Sequence, residues 1–268
     1  MKGLKLIVTA AVIAAVAASY IAYAAHMRLD EPVFLTHYYD MQGFFSGRTI
    51  RLNYITNRSD NREVTAVTFP EAPDLSFSNP QTSTIDTYWH HKANMVFIQT
   101  DVPYGTVILP TTLTTAHVEF SDGTAGDFDI GQIIVENKPE GGKRLMMSRS
   151  VGKSNTGETA ETFTVFEDCR LTDIAPEPGA DTGADISIKI NGDDFTLPVE
   201  FGQSESVTFD SVISVDDESA FNVYGIDKTL ALTDTDGETY YSYLSNIGYE
   251  PDFSNREIRK LLKQRGVV

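Results

Sequence analysis

Apolar and polar positions alternate with period two along much of this chain. Ile50, Leu52 and Tyr54 alternate with Arg51, Asn53 and Ile55, and Ala116, Val118 and Phe120 with His117 and Glu119. Ile186, Ile188 and Ile190 alternate with Ser187 and Lys189. Phe195, Leu197, Val199 and Phe201 alternate with Thr196, Pro198 and Glu200. A period of two predicts strands with one face in a core. Met95-Val96-Phe97-Ile98 is continuously apolar and predicts a central strand covered on both sides. Pro198 has no amide proton to donate, which places its strand at a sheet edge or a bulge.

Turn chemistry separates these runs. Asn57–Asn61 lies between strands expected at 49–56 and 62–69. Ser121-Asp122-Gly123 follows the strand at 116–120, and Asp236-Gly237 divides Thr229–Thr233 from Glu238–Leu244. Asn191-Gly192 sits between two alternating runs. Asn-Gly and Asp-Gly accept positive φ, the backbone of tight hairpins. Strands at this spacing, with few helical patterns, predict an all-β chain of two tandem β-sandwich-like domains. The polar, Gly- and Pro-rich segments Glu136–Gly142 and Ile174–Ala184 are the candidate boundaries. The division taken is 32–140 and 143–253, flanked by a segment at 1–25 and a helix at 254–268.

Both ends break the strand pattern. Leu6–Ala25 is 20 residues without a charge, preceded by Lys2 and Lys5. As a helix this run spans about 30 Å, the thickness of a bilayer core. The lysines orient it with the N-terminus in the cytoplasm and the remainder outside. Ala22-Tyr23-Ala24 also fits a signal-peptidase site, with cleavage before Ala25. The run exceeds the usual length of a cleaved signal, so a retained single-pass anchor is the first reading and a secreted product the alternative. Small residues recur four apart (Ala10, Ala14, Ala18, Ala22), as they do on helices that pair in membranes. At the other end, Ser254 and Glu257 have the spacing of a capping box. Ile258, Leu261 and Leu262 form one apolar stripe, and Arg256, Arg259, Lys260, Lys263 and Arg265 cover the rest. This basic amphipathic helix either packs on its own acidic domain or meets an anionic lipid, an anionic wall polymer or a partner protein.

The chain has 268 residues and a net charge of −17. Residues 151–253 alone carry −18, whereas residues 254–268 carry +4. Such an acidic body repels phosphate backbones, which argues against nucleic-acid binding. Hydrophobic residues at 41% suffice for packed cores. Cys169 is the single cysteine, so an intramolecular disulfide and a two-cysteine metal or redox motif are both excluded. Its place in a run with Phe163, Val165 and Leu171 makes it a small core residue.

The candidate chemistry is sparse. Ala180-Asp181-Thr182-Gly183-Ala184-Asp185-Ile186-Ser187 resembles the active-site signature of retropepsin-like aspartic proteases, and Asn222–Asp227 faintly resembles a later segment of that family. The resemblance covers about eight residues and would make Asp181 one of two aspartates sharing a proton. In that family the motif ends an apolar strand; here Pro176-Glu177-Pro178-Gly179 precedes it, and Ile226 stands where an arginine is usual. An acidic loop entering a strand accounts for the same residues. Asp234-Thr235-Asp236-Gly237-Glu238 hints at a calcium loop, but lacks the further acids and flanking helices of an EF-hand and reads as a hairpin turn. His90 and His91 are adjacent and would point to opposite faces of a strand. Trp89, the sole tryptophan, is expected to be half-buried, with a sugar-stacking platform as the alternative. No nucleophile elbow, phosphate loop or dinucleotide fingerprint occurs. No residue is assigned as catalytic, cofactor-binding or metal-ligating, and no cofactor is expected.

The resulting expectation is a non-enzymatic, extracytoplasmic binding or assembly module of the cell envelope, tethered to a membrane. An envelope hydrolase, with Asp181 as its weak motif, and a regulatory subunit of a membrane complex are the alternatives. The expected partners are another envelope or membrane protein, or an anionic polymer or lipid met by the C-terminal helix.

Overall fold

A computed structural model describes residues 2–42, 47–78, 80–103, 106–137, 143–154, 156–175 and 183–267. It is an all-β, sandwich-like chain with one helix at each end. Helix α1 (Lys2–His26) leads in. The strands before residue 138 are β1 (Val33–Phe34), β2 (His37–Met41), β3 (Thr49–Asn57), β4 (Val64–Thr68), β5 (Gln81–Thr87), β6 (His91–Gln99), β7 (Ile108–Phe120) and β8 (Ala125–Asn137). Those after it are β9 (Met146–Lys153), β10 (Glu158–Val165), β11 (Cys169–Ala175), β12 (Ala184–Ile190), β13 (Val199–Phe201), β14 (Ser206–Val215), β15 (Val223–Asp234) and β16 (Thr239–Tyr249). Helix α2 (Asn255–Gln264) follows.

Two four-stranded sheets, β1-β3-β6-β5 and β12-β14-β10-β9, face a long third sheet in the order β13-β11-β15-β2-β8-β7-β4, with β16 added beside β15. The first core lies under β1-β3-β6-β5. It interdigitates Ile50, Leu52, Val96 and Ile98 with Leu113, Ala116, Val118 and Ile133. The second core sets Phe163, Val207 and Phe209 against Leu171, Leu230, Leu232 and Leu244. Burying each of these side chains, Ala116 excepted, contributes roughly 1.5–3 kcal/mol. The inward residues are the alternating positions of the sequence pattern; β6 is central, between β3 and β5, as expected for Met95–Ile98, but of that run only Val96 and Ile98 are buried, and Met95 and Phe97 on its other face are half-covered.

The third sheet is continuous across both cores because of β2. This five-residue strand runs parallel to β8 on one side (His37 opposite Gly131) and parallel to β15 on the other (Tyr38 opposite Tyr224). Gly131 makes the close approach possible: its φ is +89°, and a Cβ there would lie 2.5 Å from the His37 carbonyl oxygen. His37 is fully buried and neutral. Its Nδ1–H donates to the Ile130 carbonyl at 3.1 Å, and its Nε2 accepts the Asn53 amide at 2.9 Å. One imidazole thus ties β2 to both faces of the first core. Burial holds its pKa down at about 4, against the opposing pull of the Ile130 and Leu35 carbonyls.

Four expectations change. The strand expected at 195–201 is regular only over Val199–Phe201; it is an edge strand, as Pro198 requires. Asn191-Gly192 makes a tight turn, with positive φ at both residues, but no hairpin follows: β12 pairs with β14, and the chain crosses to place β13 beside β11 in the facing sheet. Asn57–Asn61 likewise carries the chain from β3 in one sheet to β4 in the other. Finally, α2 does pack through its stripe, but not on the acidic domain alone. Ile258, Leu261 and Leu262 are buried with Leu29, Leu35, Ile55, Tyr88 and Ala93 from before residue 138, and with Phe221 and Val223 from after it. The Ser254–Glu257 capping box forms in both directions.

Candidate functional site

Two regions concentrate polar chemistry. The first is the seam between the cores. A cleft of about 430 Å³ opens there, lined by Tyr39 of β2, Arg48 and Arg51, Lys153 of β9, Gly225 and Asp227 of β15, and Glu250. Tyr39 lies flat over Gly225, where a Cβ would meet its ring at 2.8 Å, and its hydroxyl donates to the Arg51 carbonyl at 2.9 Å. Burial, reinforced by the Glu250 charge, raises its pKa. The β15–β16 register shifts at Asp227, just past the last residue paired with β2. Arg48 reaches across the seam to pair with the buried Asp227 carboxylate. Arg51 pairs with Glu250 at 3.4 Å, and Lys153 approaches the same carboxylate at 4.0 Å. Burial lowers the Lys153 pKa. Both carboxylates are therefore engaged by cations, an arrangement that holds strands in register.

The second region is where α1 enters the body. The chain there has no slack: Met27 and Leu29 are buried straight after the helix. The Asn57 side chain clamps Leu29 twice, accepting its amide at 2.9 Å and donating to its carbonyl at 2.6 Å. His91 Nε2–H donates to the Met27 carbonyl at 2.7 Å, and burial lowers the His91 pKa. Beside this clamp, His90 packs edge-on to Tyr23 at 5.5 Å. The Arg259 guanidinium of α2 lies 5.5 Å over the same tyrosine ring. The Trp89 amide donates to Asn255 Oδ1 at the start of α2. The C-terminal helix, the 88–91 turn and the end of α1 thus meet at one place.

The residues singled out from sequence fall as follows. Asp181 and Thr182 lie outside the described residues. Asp234 is a turn residue: its Oδ1 accepts the amides of Asp236 and Glu238, and its Oδ2 takes Lys143 at 3.1 Å. Cys169 is buried, and burial pushes its thiol up to about 11. His91 is a buried clamp and His90 a partner of Tyr23. Trp89 differs from expectation: it is 74% exposed, because Tyr88 turns into the core beside α2 and leaves Trp89 at the tip of the turn. Among the described residues, no three His, Cys, Asp or Glu side chains gather as a metal would need. The clamp at Met27–Leu29 and the seam at Asp227 were not visible in sequence, since neither has a spacing signature. This sequence matches no known protein-family model and no curated protein.

Proposed function

We propose that the chain is a non-enzymatic module of the cell envelope, held to a membrane by α1 and displaying its β body outside for binding or assembly. The observation that carries this reading is the condition of α1. It is 25 residues long, about 37 Å at 1.5 Å per residue. Its window Thr9–His26 has no residue buried against the body. Val12, Ile13, Val16 and Ile21 are 57–67% exposed. Such a surface is unfavourable in water and favourable in lipid. Tyr20 and Tyr23 near its C-terminal end suit the interfacial level of a bilayer. The ion-paired seam supports a holding role, because it stiffens the body instead of freeing a carboxylate for acid–base work.

The test is fractionation of cells making the full chain with a C-terminal tag. The chain should resist alkaline carbonate extraction, and the tag should be open to protease added outside. Recovery in the soluble fraction, or a tag protected until the inner membrane is broken, would refute the proposal.

A further inference from the structure

We propose that the membrane-facing end of the body is a docking surface for anionic phospholipid headgroups, formed by Arg28, Arg58, Arg256, Arg259 and Lys263 around the exposed Trp89. The inference rests on α1 spanning a bilayer and names what the body then touches.

The rigid exit of α1 fixes the height of this surface. Met27 and Leu29 are buried and clamped by His91 and Asn57, so the body begins within one residue of the helix end. If Tyr23 lies at the interfacial level, then Arg259, stacked 5.5 Å over its ring, lies among the headgroups. Arg256, Arg259 and Lys263 share one side of α2, at spacings of three and four residues. The opposite stripe, Ile258, Leu261 and Leu262, is buried in the body. The helix therefore offers charge to a membrane and keeps its apolar face inside. Arg28 and Arg58 border the same entry point of α1, together with Trp89 and His90, and both arginines are exposed.

Charge and aromatic chemistry agree on the occupant. The chain carries −17 overall, yet five cations gather at the end next to α1. Of the acids nearby, Asp60 is neutralised by Arg62 at 2.8 Å and Glu257 caps the Ser254 amide; Asp30 and Glu31 are exposed at the rim beside Arg28, so the cluster is a net excess of cations and not a purely basic face. Phosphate-bearing headgroups favour such a cluster, and the attraction falls with salt. An exposed indole beside it suits the interface, where its ring meets the acyl boundary and its N–H meets water.

Trp89 is the sole tryptophan, so its fluorescence reads the proposed contact directly. The full chain would be reconstituted in liposomes of phosphatidylcholine alone and of phosphatidylcholine with phosphatidylglycerol. Emission should move to shorter wavelength, and quenching by brominated lipid should increase, as phosphatidylglycerol is added; high salt should reverse both. Each basic side chain removed should raise the phosphatidylglycerol needed for half the change about fivefold. The triple variant Arg256→Glu, Arg259→Glu, Lys263→Glu should lose the response, whereas Arg256→Lys with Arg259→Lys should keep it. Wild-type emission that ignores lipid charge overturns the inference, as does a response that survives the triple reversal; a protein or wall polymer as the true occupant would give the first result. Failure of the anchor itself is seen separately, as carbonate-extractable protein.

Discussion

His37 should make the folded chain sensitive to mild acid, and the size of the effect follows from its surroundings. The imidazole is wholly buried and satisfied only when neutral, with Nδ1–H donating to Ile130 and Nε2 accepting from Asn53. Protonating Nε2 would set a buried donor against the Asn53 amide. In the unfolded chain the residue takes up its proton near pH 6.5, and in the folded chain only near pH 4. A depressed folded-state pKa means that the stabilisation is complete above pH 6.5 and is lost as the pH falls from 6.5 toward about 4. At roughly 1.4 kcal/mol per pH unit, that interval is worth about 3 kcal/mol. This is a large part of a typical folding stability of roughly 5–15 kcal/mol. The comparison variant is His37→Gln, which offers an amide donor and an acceptor but does not titrate. It should be less stable than wild type by about 1–3 kcal/mol at neutral pH, because its geometry fits the two partners less well. Urea unfolding of the full chain in mild detergent, followed by near-ultraviolet circular dichroism, gives the difference at each pH. That difference should shrink by about 3 kcal/mol across the interval and vanish or reverse sign at its acid end. A difference constant to within about 0.5 kcal/mol throughout would refute the reasoning, because His91 and the carboxylates titrate alike in both proteins.

Gly131→Ala should destabilise the fold by roughly 3 kcal/mol or more, since it adds left-handed strain to a clash with the His37 backbone; thermal unfolding measures it, and an unchanged midpoint would mean that β2 is not seated as described. Leu261→Ala empties a site that is 2% exposed beneath α2 and should cost about 2–5 kcal/mol by the same assay, whereas Lys263→Ala on the outer face should change stability by less than about 0.5 kcal/mol. Glu161 is buried, and burial, with the Asp227 charge, holds its carboxyl above the ordinary range despite hydrogen bonds from Ser148 and Ser245. A raised folded-state pKa gives stability that is present in acid and lost as the pH rises, so Glu161→Gln should gain on wild type from acid to neutral pH; parallel pH–stability curves would contradict this. Cys169, buried and with its thiol pushed up to about 11, should react with a thiol reagent only on unfolding; rapid labelling of the native chain would show an open site.

How much of this was legible depended on the distance over which each signal acts. The alternation at 116–120 and 186–190 is local, and it marked strands and their inward faces correctly; at 50–55 it marked the strand, but Asn53 and Ile55 on its other face are buried as well, Asn53 against His37 and Ile55 beneath α2. The capping box at Ser254–Glu257 is equally local. Turn chemistry showed where the chain reverses but not what the next strand pairs with. Asp236-Gly237 joins paired strands, whereas Asn191-Gly192, with the same tolerance of positive φ, sends the chain to the facing sheet. The difference lies in which partner edge is free, a property of the whole fold. Trp89 departs from the expected half-burial for a similar reason: its exposure depends on Tyr88 being drawn into a cluster that α2 completes from more than 160 residues away.

The seam shows why a five-residue strand can matter more than longer ones. Parallel pairs cannot close through a hairpin, so β2 meets β8 and β15 across about 90 and 180 residues of chain, and no local pattern announces either contact. The sequence HYYDM instead reads as a strand of mixed polarity, because its side chains serve two cores. Tyr39 packs against the first core and Tyr38 against the second, while His37 is held by polar partners. The last residue it pairs with β15, Asp40, lies opposite Ile226, one residue before the bulge at Asp227 where Arg48 crosses. Beyond that point the main-chain ladder between the cores ends and side-chain ion pairs take over. Such pairs are directional and sensitive to register. They tie β15 to the first core, and α2 docks on residues from both sides of that seam.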